Sequence, residues 1–163
     1  MTKVYEFARR SPGTRLIIVS PEQKILITKE YRPEIKAWDY RLPGGKVFNS
    51  LSEYNDFLKT GEDILIAAKA AAVIEAQEEV GLKVGRIKHF ATSTCGATMR
   101  WDLFYFIITD YQTLDKTAHG SGENIQTNWF SLIEAKNLAL TGQMSEDRSA
   151  AVLLRYLFEQ GIS

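Results

Sequence analysis

The sequence predicts an α+β fold in which helices pack against a mixed β-sheet. Three observations carry this prediction. Short β-branched and aromatic runs are punctuated by Pro and Gly. One long Ala- and Glu-rich segment, Asp63–Val80, contains neither. Strand-like and helix-like stretches then alternate unevenly towards the C-terminus.

Each element follows from local composition. Arg15–Ser20 and Lys24–Glu30 are β-branched runs separated by Pro21, Glu22 and Gln23, which reads as a hairpin with an antiparallel pair. Trp38–Leu42 reads as a further strand, closed by Pro43, Gly44 and Gly45, where proline ends a ladder and glycine permits unusual backbone angles. Asp63–Val80 is rich in strong helix formers and stops at Gly81, so it reads as a helix. Lys83–Ser93, Arg100–Asp110 and Ile125–Ser131 are strand-like. Ser131–Asn137 reads as a short helix, and Ser145 as the N-cap of a last helix reaching Glu159, with Glu146 and Asp147 in its first turn.

Composition narrows the function classes. The 163 residues are 45% hydrophobic, with no linker, low-complexity tract or repeat, so residues 1–163 read as one domain. Twenty basic side chains balance twenty acidic ones, which disfavours nucleic acid as the main partner. Cys95 is the sole cysteine and only His89 and His119 accompany it, so neither an intrachain disulfide nor a soft-ligand zinc site is expected. The longest apolar run, Leu103–Ile108, is far short of a membrane span and the N-terminus has no signal-like apolar core. A cytoplasmic setting is expected.

The chemistry concentrates on the long helix. Glu75, Glu78 and Glu79 stand at i, i+3 and i+4, where like charges repel. They form either a solvated acidic face or a site for a hard divalent cation, which would turn repulsion into coordination and bridge the carboxylates to substrate phosphates. The loop Pro43-Gly44-Gly45-Lys46 stands upstream, and Val80-Gly81-Leu82 ends the helix.

These residues resemble the Nudix hydrolases. The second half of that family's signature matches Glu75-Ala76-Gln77-Glu78-Glu79-Val80-Gly81-Leu82, preceded by the family-like Leu42-Pro43-Gly44-Gly45-Lys46-Val47. The likeness continues through Trp129-Phe130-Ser131-Leu132 and Glu134-Ala135. It implies a Nudix-like α/β/α sandwich with a mixed sheet and the loop-helix-loop of the family. Two departures stand out. The family's arginine is Ile74, and strict counting puts Ile66 where a signature glutamate would fall. Two isoleucines can replace a charged brace by apolar packing. Alternatively Gly61-Glu62 is the signature region and the helix start carries an extra turn. The second departure is an insertion at about residues 49–60, read either as a lid or dimer contact or as a surface helix tucking Leu51, Tyr54 and Leu58 onto the domain.

The resemblance implies hydrolysis of a nucleoside diphosphate linked to another group X, a small-molecule substrate, with magnesium or manganese as cofactor. It implies Glu75, Glu78, Glu79 and the Gly44 carbonyl as metal ligands, with Lys46 holding the loop or the phosphates. A further carboxylate from a later loop is expected. Glu123 is the first candidate, with His119 as a weaker one and Glu146 or Asp147 as the next. Glu30-Tyr31-Arg32-Pro33 looks like a segment of the ADP-ribose and nucleotide-sugar branch, so Tyr31, Arg32 and Arg41 are expected at the substrate. Tyr31, Trp38 and Trp101 can stack on a base or belong to the core. That branch's proline beyond the box is missing, since all four prolines lie at or before Pro43. A Nudix-fold nucleotide sensor and a partner-binding module are the competing classes.

Overall fold

The computed structural model describes residues 4–114 and 125–162. Strands β1 (Ala8–Arg9), β2 (Gly13–Ile18), β3 (Lys24–Arg32) and β4 (Ala37–Arg41) come first, then helices α1 (Leu51–Thr60) and α2 (Ile64–Val80). Strands β5 (Leu82–Ser93), β6 (Met99–Arg100), β7 (Leu103–Thr113) and β8 (Ile125–Ser131) follow, and helices α3 (Leu132–Leu140) and α4 (Asp147–Glu159) close the chain.

The central sheet has the order β2-β7-β5, with β2 and β7 parallel and β7 and β5 antiparallel, so it is mixed. A second sheet, β4-β3-β8, is antiparallel, and β1 pairs with β6 in a short parallel ribbon. Every residue of β2 is buried, because helices cover both faces of its sheet. Leu16 and Ile18 face α2 through Ala68, Ala72 and Ala76, while Ile17 and Val19 join the α3–α4 side with Leu153 and Leu157. This is the expected α/β/α sandwich. Among the described residues no helix is long and apolar enough to cross a membrane.

The expected hairpin is corrected. The turn is present, with Ser20 N–H donating to the Lys24 carbonyl at 2.8 Å, but the two strands meet only at the Val19–Ile25 bridge and diverge into different sheets. β2 finds a partner in β7, far away in sequence, which offers six paired positions. The expected strand at Arg100–Asp110 is broken at Trp101–Asp102 into β6 and β7.

Two helix starts behave differently. Ser131 caps α3 in a reciprocal capping box with Glu134. Ser145 does not cap α4; its backbone N–H and hydroxyl both donate to buried Asp39, at 2.9 and 2.8 Å, and Glu146 takes the cap position. The insertion is a helix, α1, capped by Ser50 and ended by Gly61 in the left-handed conformation. Its inward face is Tyr54 and Phe57, which pack on Phe48, whereas Leu51 and Leu58 are exposed.

The register of α2 is decided by its alanines. Ala68, Ala72 and Ala76 recur every four residues and lie fully buried against the sheet. Ile66 and Ile74 are roughly 120° and 160° around the helix from Ala72, and both are exposed, at 71% and 54%. The expectation that they pack as an apolar brace is therefore corrected. Glu62 lies in the turn between α1 and α2, outside the helix, so no extra turn carries it.

Candidate active site

A cleft of about 880 Å³ opens where the two sheets, the glycine loop and α2 converge. The loop is strapped to β2 by Leu16 N–H donating to the Pro43 carbonyl and Thr14 N–H to the Gly45 carbonyl, each at 2.8 Å. Gly44 sits between these ties with φ of 146°, and the Thr14 carbonyl occupies the space a side chain would need. At Gly45 a Cβ would collide with the Glu75 carboxylate. The two glycines thus let the backbone approach both carboxylates of the helix.

Glu75 and Glu79 are both partly buried, whereas Glu78 is exposed. Gly44 N–H donates to Oε2 of Glu79 at 2.7 Å. Burial pushes its pKa up to about 7, and the Glu75 charge adds to this, against partial relief from the Gly44 N–H and from Arg15. Glu75 and Glu79 flank the buried alanine stripe, which aims them at the loop. Glu78 lies on the exposed side of the same turn and lines the cleft rim. Among the described residues no group of three or more His, Cys, Asp or Glu side chains gathers as a metal cage. The expected three-glutamate ligand set is therefore not closed in this arrangement. What is present is a pair of mutually repelling carboxylates beside a polar loop, which matches how magnesium is held by one or two carboxylates with substrate oxygens completing its shell.

The cations are arranged around the acids. Arg32 lines the cleft, paired with Glu30 at 3.1 Å and Glu34 at 2.7 Å. Arg41 lines it too, 3.3 Å from Asp39 and 3.7 Å from Glu146. Lys46 is exposed at the rim. Tyr31 is not brought to the cleft: strand alternation puts it on the opposite face from Glu30 and Arg32, edge-on to Trp38 with ring centroids 5.7 Å apart. Glu123 and His119 lie outside the described residues.

Sequence reasoning missed Arg15 and the true place of Glu146. Arg15 is buried in β2, lines the cleft, and donates through Nε and Nη2 to the two carboxylate oxygens of Glu146, both at 2.8 Å. Ser149 also hydrogen-bonds Glu146 and shares 3.1 Å with the Tyr105 hydroxyl. Against the burial that would raise it, the Arg15 hydrogen bonds and charge hold the Glu146 carboxyl down at about 2. Glu146 is thus a charged anchor. The available signal was a single arginine inside the apolar run RLIIVS.

A sandwich fold whose glycine loop meets an acidic helix is the architecture of one class of proteins, and comparison with known proteins agrees. Residues 9–151 match the model of the NUDIX domain, and the chain belongs to that family. It is 28% identical over 149 residues to a CMP-5'-(N-acetyl-N-hydroxy-3-aminopropyl)phosphonate hydrolase of Streptomyces rubellomurinus (strain ATCC 31215). That match covers 91% of this chain and spans 65% of the relative's length. Among solved structures, an ADP compounds hydrolase superposes with a TM-score of 0.69 at 17% identity, covering 99% of this chain and 81% of the other. A MutT, described for Aliivibrio salmonicida and Vibrio cholerae, gives 0.58 at 21% identity, covering 90% and 98%. At these identities the two structures bear on the fold.

Proposed function

We propose that the protein hydrolyses the pyrophosphate bond of a nucleoside diphosphate linked to a second group, with ADP-ribose or a nucleotide sugar as the substrate class and Mg²⁺ as cofactor. The observation that carries this is the pairing of Glu75 and Glu79 against the Gly44–Gly45 loop inside a cleft also lined by Arg15, Arg32 and Arg41. Acids alone would repel a diphosphate, and arginines alone would bind it with no use for two neighbouring glutamates in the same cleft. Together they suit a substrate that arrives with a divalent cation. The CMP-linked phosphonate named for the Streptomyces relative supports a nucleotide joined to another group as the scissile class.

In this reading Glu75 and Glu79, with the Gly44 carbonyl, would hold the cation, and Glu78 on the rim would hold a water or a further ligand. A bound Mg²⁺ would neutralise phosphate charge and lower the pKa of a coordinated water. Arg32 and Arg41 orient the diphosphate through planar, bidentate-capable guanidiniums. Arg15, locked by Glu146, keeps a fixed positive charge behind the acids. Glu123 is retained as the candidate additional carboxylate.

Cleavage is measured by chromatographic separation of the nucleoside monophosphate and the second phosphorylated product, across ADP-ribose, nucleotide sugars, dinucleoside polyphosphates and nucleoside triphosphates, with and without Mg²⁺. Mg²⁺-dependent cleavage of the first two classes is expected. Tight binding of all with turnover of none would overturn the enzyme reading in favour of a nucleotide sensor.

A further inference from the structure

The proposed function accounts for the acids and arginines of the cleft, but a nucleotide also presents a base, which needs an aromatic or planar surface. Of the aromatic side chains expected near the substrate, Tyr31 and Trp38 pair with each other on the far face of the β3–β4 hairpin. Among the described residues lining the cleft, Trp101 is the sole aromatic one.

Trp101 is unusually well held. It occupies the break between β6 and β7, where the chain leaves one ladder and enters another. Arg148 of α4 lies over its ring with Cζ 4.3 Å from the centroid and donates through Nη1 to the Trp101 carbonyl at 2.7 Å. Arg148 Nη2 is buried without a hydrogen-bond partner among the described residues, and the guanidinium is held at the indole by the bond to the Trp101 carbonyl. A second guanidinium, from Arg10, lies over the ring at 4.2 Å. Arg10 directly follows β1, its backbone N–H donates to the Arg100 carbonyl at 3.0 Å, and it lines the cleft while remaining exposed. The fixed arginine and the exposed one therefore differ in what they can do. Moving Arg148 away would leave the Trp101 carbonyl without this donor, whereas Arg10 stands at an exposed position from which it can swing outward.

We propose that Trp101 and Arg10 form a nucleobase site, in which the base stacks on the indole and Arg10 moves outward by one ring thickness to cover the base's other face. Indole and guanidinium are both planar and both stack on aromatic rings, so the base gains two faces in exchange for one cation–π contact. The site selects for a planar heterocycle and tolerates different bases, since every base offers a π face. It rests on the nucleoside diphosphate reading of the cleft.

Binding of α,β-methylene-ADP, of α,β-methylene-CDP and of methylenediphosphonate, which has no base, is measured by titration calorimetry on the full chain in Mg²⁺. Trp101→Ala is expected to raise the Kd of both nucleotides by about 5- to 150-fold, the usual span for loss of one stacked base, and to leave methylenediphosphonate within about twofold. Arg10→Ala, at an exposed position, is expected to raise the nucleotide Kd by about 2- to 5-fold. Should Trp101→Ala fail to fold, Arg10→Ala and Trp101→Phe carry the test, the latter retaining most nucleotide affinity. Unchanged nucleotide affinity in Arg10→Ala and Trp101→Ala, or equal loss for nucleotides and methylenediphosphonate, overturns the base site. A wild-type protein that binds methylenediphosphonate as tightly as the nucleotides overturns the base site alone. One that binds none of the three overturns the function reading, and the base site with it.

Discussion

Glu79 combines a partly buried setting, a backbone N–H from Gly44 and a neighbouring carboxylate, so burial and the Glu75 charge both work against its ionised form. Replacing it with glutamine removes that charge while keeping an oxygen for the Gly44 N–H. Glu79→Gln is expected to fold normally and to lower turnover by at least about 10²-fold, read from steady-state kinetics beside a thermal melt. Full activity would remove Glu79 from the metal site. The neighbouring isoleucines make the opposite case. Because Ile66 and Ile74 are exposed, Ile74→Arg and Ile66→Glu should each change the unfolding free energy by no more than about 0.5 kcal/mol. Their double mutant should show no coupling in denaturant titrations. A loss of several kcal/mol would mean that this face of α2 is covered.

At the scale of elements, α4 is tied to the central sheet by charge as well as by apolar packing. Leu153 and Leu157 enter the core, while Glu146 at the head of the helix meets Arg15 of β2, and Ser145 meets Asp39 of β4. One short segment therefore joins both sheets. A buried pair broken on one side leaves an uncompensated charge, which typically costs about 3–5 kcal/mol. Glu146→Gln is expected to destabilise the protein by an amount on that order, measured by urea unfolding, and Arg15→Met combined with Glu146→Leu should recover much of the loss. The interaction was hidden from sequence because 131 positions separate the partners. The helices themselves were legible: Asp63, Gly81 and the intervening Ala and Glu residues state the limits of α2 locally, and the Ser131–Glu134 box states the start of α3.

For the whole molecule, the two shifted acids give opposite pH dependences. Glu146 titrates at about 2 when folded against an ordinary 4.5, so its contribution is complete above 4.5 and is lost as pH falls towards 2. Glu79 titrates at about 7 when folded, so its contribution is complete below 4.5 and is lost as pH rises through 7. Without divalent cation, the protein should lose on the order of 2–3 kcal/mol through Glu79 between about pH 4.5 and 7.5. Melting curves in chelator at several pH values check the slope, which Glu79→Gln should flatten. A Mg²⁺ bound at this carboxylate, as proposed, would compete with the proton and should raise Tm more at pH 8 than at pH 5.5. An equal shift at both pH values would separate the cation from Glu79.

What the sequence determined by itself was everything that depends on neighbours along the chain. The glycine loop, the acidic helix with its cap and stop, the strand-like runs and the family they resemble are all written in local spacing and composition. What only the tertiary structure decided was which surfaces meet. Parallel pairing of β2 with β7 sent the expected hairpin into two sheets. The alanine stripe rotated α2 so that Glu75 and Glu79 turn to the loop while Glu78 stays at the rim and the isoleucines face outward. Strand alternation moved Tyr31 away from the cleft, and the break at Trp101–Asp102 brought an indole into it. The physical reason is common to all four. Local propensity sets the conformation of a segment, but its partner is chosen by burial and by compensation of buried charge, which are properties of residues distant in sequence and joined only when the chain is folded.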